Sequence, residues 1–315
     1  MIYDFKANII VFEILFDIIM KTNKRNSMAQ LIFSSFIIIT CFQAFLSITP
    51  SALETDIIYD ISVSEIGNIT SIQEAIDTAQ KNDIIFIENG IYHENIVIDK
   101  PITLIGENKT QTIIDGRNAG NVIKINAENV IIKQVTIQHS GIYFPNAGIN
   151  LSISHAIIEN TVLKNNFYGM ILFNAQNNTI QNNIIQDNDH CGIYMSHSSN
   201  NYFSNNTITN QNYNGFGLYD ASNNNIIRNN TLTKNGYCAV NIRISSMNTI
   251  IGNNISNNNI GIHIPSTENN IKQNTFSNNN KDYDEEILTP GFEFILIILS
   301  VTLIVFYNRL IHGKH

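Results

Sequence analysis

Short apolar–any–apolar triplets recur along the middle of this chain, each opened by a small residue, at Gly148, Gly169, Gly192, Gly215, Ala239 and Gly261. Subtracting successive positions gives steps of 21, 23, 23, 24 and 22 residues. Inside each unit the grammar is constant. In the unit at Gly169 a strand-like triplet, Met170-Ile171-Leu172, is followed by Asn177-Asn178, an apolar pair from Ile180, Asn182-Asn183, and a third apolar stretch with Ile184 and Ile185. The next unit repeats it with Ile193 to Met195, Asn200-Asn201, Asn205-Asn206 and Ile208. Apolar residues two apart put one face of a short strand inward. Apolar positions do not recur at three-four spacing, and β-branched Ile and Thr fill the strand slots, so no helix fits. The asparagine pairs fall between strands. Asn tolerates the left-handed backbone of a sharp bend, and equivalent amides stacked on one another form ladders. A fixed period of this length with three short strands per unit predicts an all-β fold, a right-handed parallel β-helix solenoid.

The segment ahead of the regular units supplies a cap and further coils. Ser71-Ile-Gln-Glu74 is a capping box, and Ile72, Ala75, Ile76 and Ala79 share one helical face. An open solenoid end exposes strand edge and core, so a covering helix is expected there. Irregular apolar strands follow, including Ile84 to Ile87, Ile102 to Ile105 and Val130 to Ile132. The β-helix domain is placed at 53–282, with about ten coils and on the order of 45 Å of stack at ~4.8 Å per rung. The stretch SIQEAIDTAQKNDIIFIENGIYHENIVIDKPITLIGENKTQTIIDG, residues 71–116, resembles the opening of β-helix proteins of the NosD type and the wider carbohydrate-binding and sugar-hydrolase β-helix group. The resemblance implies the fold over about 56–280. NosD-type proteins are periplasmic accessories of nitrous-oxide reductase maturation, so it also raises copper.

Charge narrows the partners. The formal net charge is −8 and 14% of residues are charged, which is no footprint for nucleic acid. The low charge and abundant amide suit neutral polar ligands such as glycans, although the turn role of Asn accounts for most of the amides.

Both chain ends are apolar. Met20-Lys-Thr-Asn-Lys-Arg-Asn is a basic stretch and Leu31 to Ile48 an apolar run; together they resemble a secretory signal, with residues 1–52 assigned as signal or N-terminal apolar anchor and Met20 or Met28 as the working start. An acidic linker and Thr289-Pro290-Gly291 occupy 283–291, an apolar segment from Phe292 at 292–311 is long enough to span a bilayer, and a short basic tail fills 312–315. This tail resembles the Pro-Gly-Phe sorting signals of archaeal surface proteins. The expectation is a cell-surface, extracytoplasmic β-helix anchored through a C-terminal transmembrane helix.

Three cysteines give no disulfide framework. Cys41 falls in the leader. Cys191 and Cys238 occupy one slot two coils apart, about 9.6 Å, too far to bridge. Free, buried thiols are expected. Sequons at Asn68, Asn108, Asn150, Asn177, Asn205, Asn229 and Asn254 permit N-glycosylation, though Asn-Asn-Thr is already the coil grammar.

Outward positions of the first strand form two columns: Asn150, Ile171, Tyr194, Gly217, Asn241 and His263, and two residues on Ser152, Phe173, Ser196, Tyr219, Arg243 and Pro265. With His197 and Asp220 beside them, the face collects Tyr194, His197, Tyr219, Asp220, Arg243 and His263. Aromatic rings stack on sugars, and Arg and Asp engage acids and hydroxyls. The leading expectation is a noncatalytic glycan-binding or envelope-structural protein. The partner is then an extracellular polysaccharide or envelope glycan, with no cofactor. The alternative is a polysaccharide-active hydrolase, lyase or epimerase, for which the acids would be Asp187, Asp189 and Asp220. A third reading, a copper accessory, offers only His190, Cys191, Met195 and His197. Strand alternation turns Met195 inward and Tyr194 out, Cys191 is assigned to the core, and metal binding is not expected.

Overall fold

The computed structural model describes residues 61–64, 69–264 and 268–284. They form three long parallel sheets of ten, nine and nine strands, and the chain visits the sheets in strict rotation. The first sheet begins at Ile61–Val63 and ends at Asn270–Lys272, the second runs from Gly90–Tyr92 to Thr275–Ser277, and the third from Ile96–Ile98 to Lys281–Asp284. This is a parallel β-solenoid of the right-handed β-helix type. The count is nine complete turns rather than ten. The strand Ile61–Val63 pairs with Ile84–Ile87 but starts no turn of its own, because the chain enters helix α1, Ile72–Thr78, before reaching the second sheet.

Helix α1 is held by the Ser71 half of the capping box read from the sequence and by one residue that was not. Ser71 Oγ accepts from the Glu74 N–H, while Glu94, a full turn later, accepts from the N–H groups of Ile72 and Gln73 and from Ser71 Oγ. Gln73 then completes the edge of the third sheet. Its side-chain amide accepts from the Val97 N–H at 2.8 Å and donates to the Val97 carbonyl at 3.3 Å, the bonds a further strand would make.

The interior is a set of apolar stacks in register. Ile85, Leu104, Ile132, Ile158, Ile180, Phe203, Ile227 and Ile250 lie one above another in the first sheet. Each is fully buried. The outward columns of the third sheet follow the sequence reading rung by rung: Asn150–Ile171–Tyr194–Gly217–Asn241–His263, and Phe173–Ser196–Tyr219–Arg243. Ser152 lies past the strand Ala147–Leu151, and Pro265 is outside the described residues.

The corners explain why asparagine comes in pairs. The first residue of the pair takes positive φ at Asn182 (58°), Asn205 (54°) and Asn229 (54°) between the first and second sheets, and Gly252 takes that place one turn later. The second points inward. Asn206 Oδ1 accepts from the backbone and side-chain N–H of Asn183 one turn earlier. Its Nδ2 donates to the Ile180 carbonyl and to Asn230 Oδ1 one turn later. Parallel ladders run through Asn178, Asn201, Asn225 and Asn248 at the corner from third to first sheet, and through Asn166, Asn188, Gln211, Asn235 and Asn258 at the corner from second to third.

Among the described residues no helix is long and apolar enough to cross a membrane. The expected leader (1–52, with Cys41), the segment 292–311, the tail 312–315, the sequon at Asn68 and nearly all of the linker 283–291 lie outside the described residues.

The two members of an Asn pair are predicted to fail differently. Asn206→Ala strips partners from the buried Asn183 N–H and Ile180 carbonyl and should lower unfolding free energy by about 2–4 kcal/mol. Asn205→Ala only strains an exposed positive-φ corner and should cost about 1 kcal/mol. Urea unfolding of the two variants checks the order.

Candidate functional site

The three corners differ in length, and the one from second to third sheet builds the site. Between Thr179–Gln181 and Ile184–Gln186 only the Asn pair intervenes, whereas between Ile184–Gln186 and Ile193–Ser196 the chain has room for Asp187 to Gly192. These longer corners lean over the outer face of the third sheet. Phe167, His190, Tyr213 and Tyr237 sit there one per turn, joined by backbone bonds from each N–H to the carbonyl one turn before. Their ring centroids are 5.7, 4.8 and 5.1 Å apart, and Tyr213 and Tyr237 are stacked within 9° of parallel. This line is not among the residues expected from the sequence. Its signal was present: steps of 23, 23 and 24 residues by subtraction, in phase with the solenoid repeat.

A second apolar cluster lies beneath, outside the solenoid core: Ala147, Tyr168, Ile171 and Cys191, with Phe167 and Tyr194 packed on it. Cys191 therefore belongs to this outer cluster and not to the main core expected for it. The loop Gly141 to Pro145 closes the N-terminal side, where Phe144 meets the rings of Tyr168 and Tyr194 edge-on at 6.1 and 6.0 Å.

C-terminal to this cluster the face opens into a cleft of about 430 Å³, lined by His190, Tyr194, Tyr219, Asp220, Arg243 and Ile244. Four of the six predicted ligand-binding residues, Tyr194, Tyr219, Asp220 and Arg243, thus meet in one place. His197 and His263 do not line it. His197 turns toward Phe173 and bonds Ser196 Oγ at 3.0 Å, because the chain is leaving the third sheet there with φ of 51°. His263 is buried in its column and pairs with Asp284 at 3.2 Å.

The acids separate in the same way. Asp187 holds a positive-φ corner position and bonds Gln186 and Asn210, and Asp189 is exposed on the same corner; neither lines the cleft. Asp220 is the one carboxylate among the residues lining it, and it accepts from Ser196 Oγ at 3.3 Å.

Burial sets the protonation of this face. It lowers the His190 pKa and so favours the neutral ring, and it raises the hydroxyls of Tyr168, Tyr194 and Tyr219. It pushes the thiols of Cys191 and Cys238 up to about 12. Both thiols are free and buried, two turns apart on one column with Asn214 between them.

The donors suggested for a metal do not converge. His190 Nδ1 faces Cys191 Sγ at 3.2 Å, but Met195 points into the core and His197 faces elsewhere. Among the described residues no three His, Cys, Asp or Glu side chains group as a metal site. A protonated thiol is moreover a poor ligand. The residues present do not fit a copper site.

Two measurements follow. Equilibrium dialysis with Cu(I) is expected to show no stoichiometric uptake by Cys191 or Cys238, whose alkylation should stay slow until the protein unfolds. The thiols ionise near 9.0 when unfolded and near 12 when folded, so their contribution to stability is complete below pH 9 and is lost as pH rises from 9 toward 12. The urea midpoint should be flat from pH 7 to about 8.5 and then fall, less steeply in a Cys191→Ala, Cys238→Ala double variant.

The solenoid is shared with solved structures of low sequence identity. A GH87 α-1,3-glucanase catalytic domain in complex with nigerose matches with a TM-score of 0.57 and 19% identity over 70% of this chain and 44% of its own. The catalytic unit of the thermostable GH87 α-1,3-glucanase from Streptomyces thermodiastaticus gives 0.56 and 18% over 65% of this chain and 43% of its own. An alginate lyase from Paenibacillus gives 0.52 and 13% over 67% and 94%. The chain thus spans less than half of either glucanase domain, and at these identities the likeness is one of fold. No curated protein matches significantly. The family described as periplasmic copper-binding protein (NosD) matches residues 60–287, most of the chain and all of its solenoid turns, and the protein belongs to the NosD family.

Proposed function

We propose that this protein is an extracytoplasmic β-helix whose third sheet carries a noncatalytic glycan-binding cleft. The observation that carries this reading is the composition of the cleft: tyrosine rings on its walls, one guanidinium, and one carboxylate. Aromatic walls take the apolar faces of sugar rings while a few polar groups fix orientation. Among the described residues the Arg243 side chain makes no ion pair, which leaves its donors for a ligand.

Glycoside hydrolysis by the usual route needs two carboxyl groups facing one bond. Asp187 and Asp189 sit on the corner, away from Asp220's cleft, so that pair is not built from the acids considered. The alternative, a polysaccharide-active enzyme, draws support from solved neighbours that are a glucanase and a lyase. A fold does not carry its chemistry with it. The family description names copper and the periplasm. The periplasmic part agrees with an exterior protein, with 292–311 proposed as its membrane anchor; the copper part finds no ligand set among the described residues.

Retention on a polysaccharide panel, scored together with product release, tests the reading. Retention without products is expected. Tyr194→Ala and Arg243→Ala should each weaken it by about tenfold, the loss typical of an anchoring aromatic or Arg contact. Unchanged retention in both variants sinks the cleft. Product release abolished by Asp220→Ala makes the protein an enzyme.

A further inference from the structure

We infer that Tyr219 is a movable plug, and that the space it fills, floored by Gly217 and Asn241, is a subsite for one hydroxyl-bearing sugar ring. The inference rests on the glycan reading of the cleft and deepens it.

The outward column Tyr194–Gly217–Asn241 lacks a side chain at its middle rung. The ring of Tyr219, two residues along the same strand, bends back into that gap, so a Cβ on Gly217 would collide with Tyr219 Cε2. The ring thereby covers Tyr194, with centroids 5.1 Å apart and planes 31° from parallel. In the closed arrangement Tyr219 occupies the place a sugar stacked on Tyr194 would take.

The closed state is lightly held. Tyr219 Oη accepts from Asn214 Nδ2 at 2.9 Å and from Asn241 Nδ2 at a long 3.4 Å. Beneath it Asn241 is 3% exposed, and its Oδ1 is the one buried side-chain oxygen or nitrogen among the described residues without a hydrogen-bond partner. An orphan acceptor of this kind carries a desolvation cost and calls for an explanation. A ligand hydroxyl donating to Asn241 Oδ1 supplies one. Tyr219 already borders the open cleft. A rotamer change carries its ring toward solvent with no backbone movement, and uncovers Tyr194 together with the amides of Asn214 and Asn241.

The apparent affinity of such a site is the intrinsic affinity scaled by the open fraction. Weakening the plug therefore tightens binding, whereas removing a contact wall weakens it. The test is calorimetric titration of the full-length protein with neutral and uronic-acid tetrasaccharides. Tyr219→Phe loses both hydroxyl bonds and should bind about fivefold to tenfold more tightly than the parent. Tyr219→Ala should bind at least as tightly as the parent. Adding Asn241→Leu to Tyr219→Phe should abolish the gain. Binding by the parent with equal or weaker affinity in both Tyr219 variants overturns the plug and leaves the glycan cleft standing. No binding by parent or variants overturns both.

Discussion

Everything in this molecule depends on buried side-chain amides that bond from one turn to the next. A parallel solenoid bends sharply three times per turn, and each bend leaves inward backbone groups that the sheets cannot satisfy. The second asparagine of each corner meets that need: Asn230, for example, accepts from the Asn206 backbone and side chain and donates to the Phe203 carbonyl and to Asn253. Each amide thus holds its own turn against the one before it and the one after. The geometry calls for a side-chain amide at one position of each such corner, Asn in nearly every turn and Gln at 211, so register is fixed along the stack as well as within each turn.

With the corners fixed, function has one place to vary. From Ile131–Lys133 onward the corner from first to second sheet is closed by two residues, an Asn pair in three of the turns, and presents little surface. The corner from second to third sheet is longer, and its extra residues carry Phe167, His190, Tyr213 and Tyr237 over the third sheet. The outer face of that sheet becomes a second, smaller apolar layer, with Ile171 and Cys191 buried although they lie outside the main core. The cleft begins where this layer gives way to polar residues at Asp220 and Arg243. Tyr219 sits at that boundary and fills the gap left by Gly217, which ties the aromatic layer to the buried Asn214 and Asn241 amides.

The solenoid, its corner grammar, the rung-by-rung columns and the separation of Cys191 from Cys238 were all legible in the chain, because a repeat states its own register: residues one period apart must stack. The same logic would have found the aromatic line at Phe167, His190, Tyr213 and Tyr237. The nine turns, and the work of Glu94 on helix α1 and of Gln73 on the edge of the third sheet, depend on how the chain enters the stack, where no repeat speaks.

The periodicity of apolar residues and asparagines by itself determined a β-solenoid and which residues share a column, since strand alternation and stacking leave a repeating chain no other arrangement. Only the tertiary structure decided which column members face one another across the cleft. His197 and His263 turn away, Asp187 and Asp189 serve a corner, and Tyr219 lies down over Gly217. Those outcomes follow from side-chain torsions, corner lengths and local hydrogen bonds, which vary from turn to turn and which a periodic pattern does not encode.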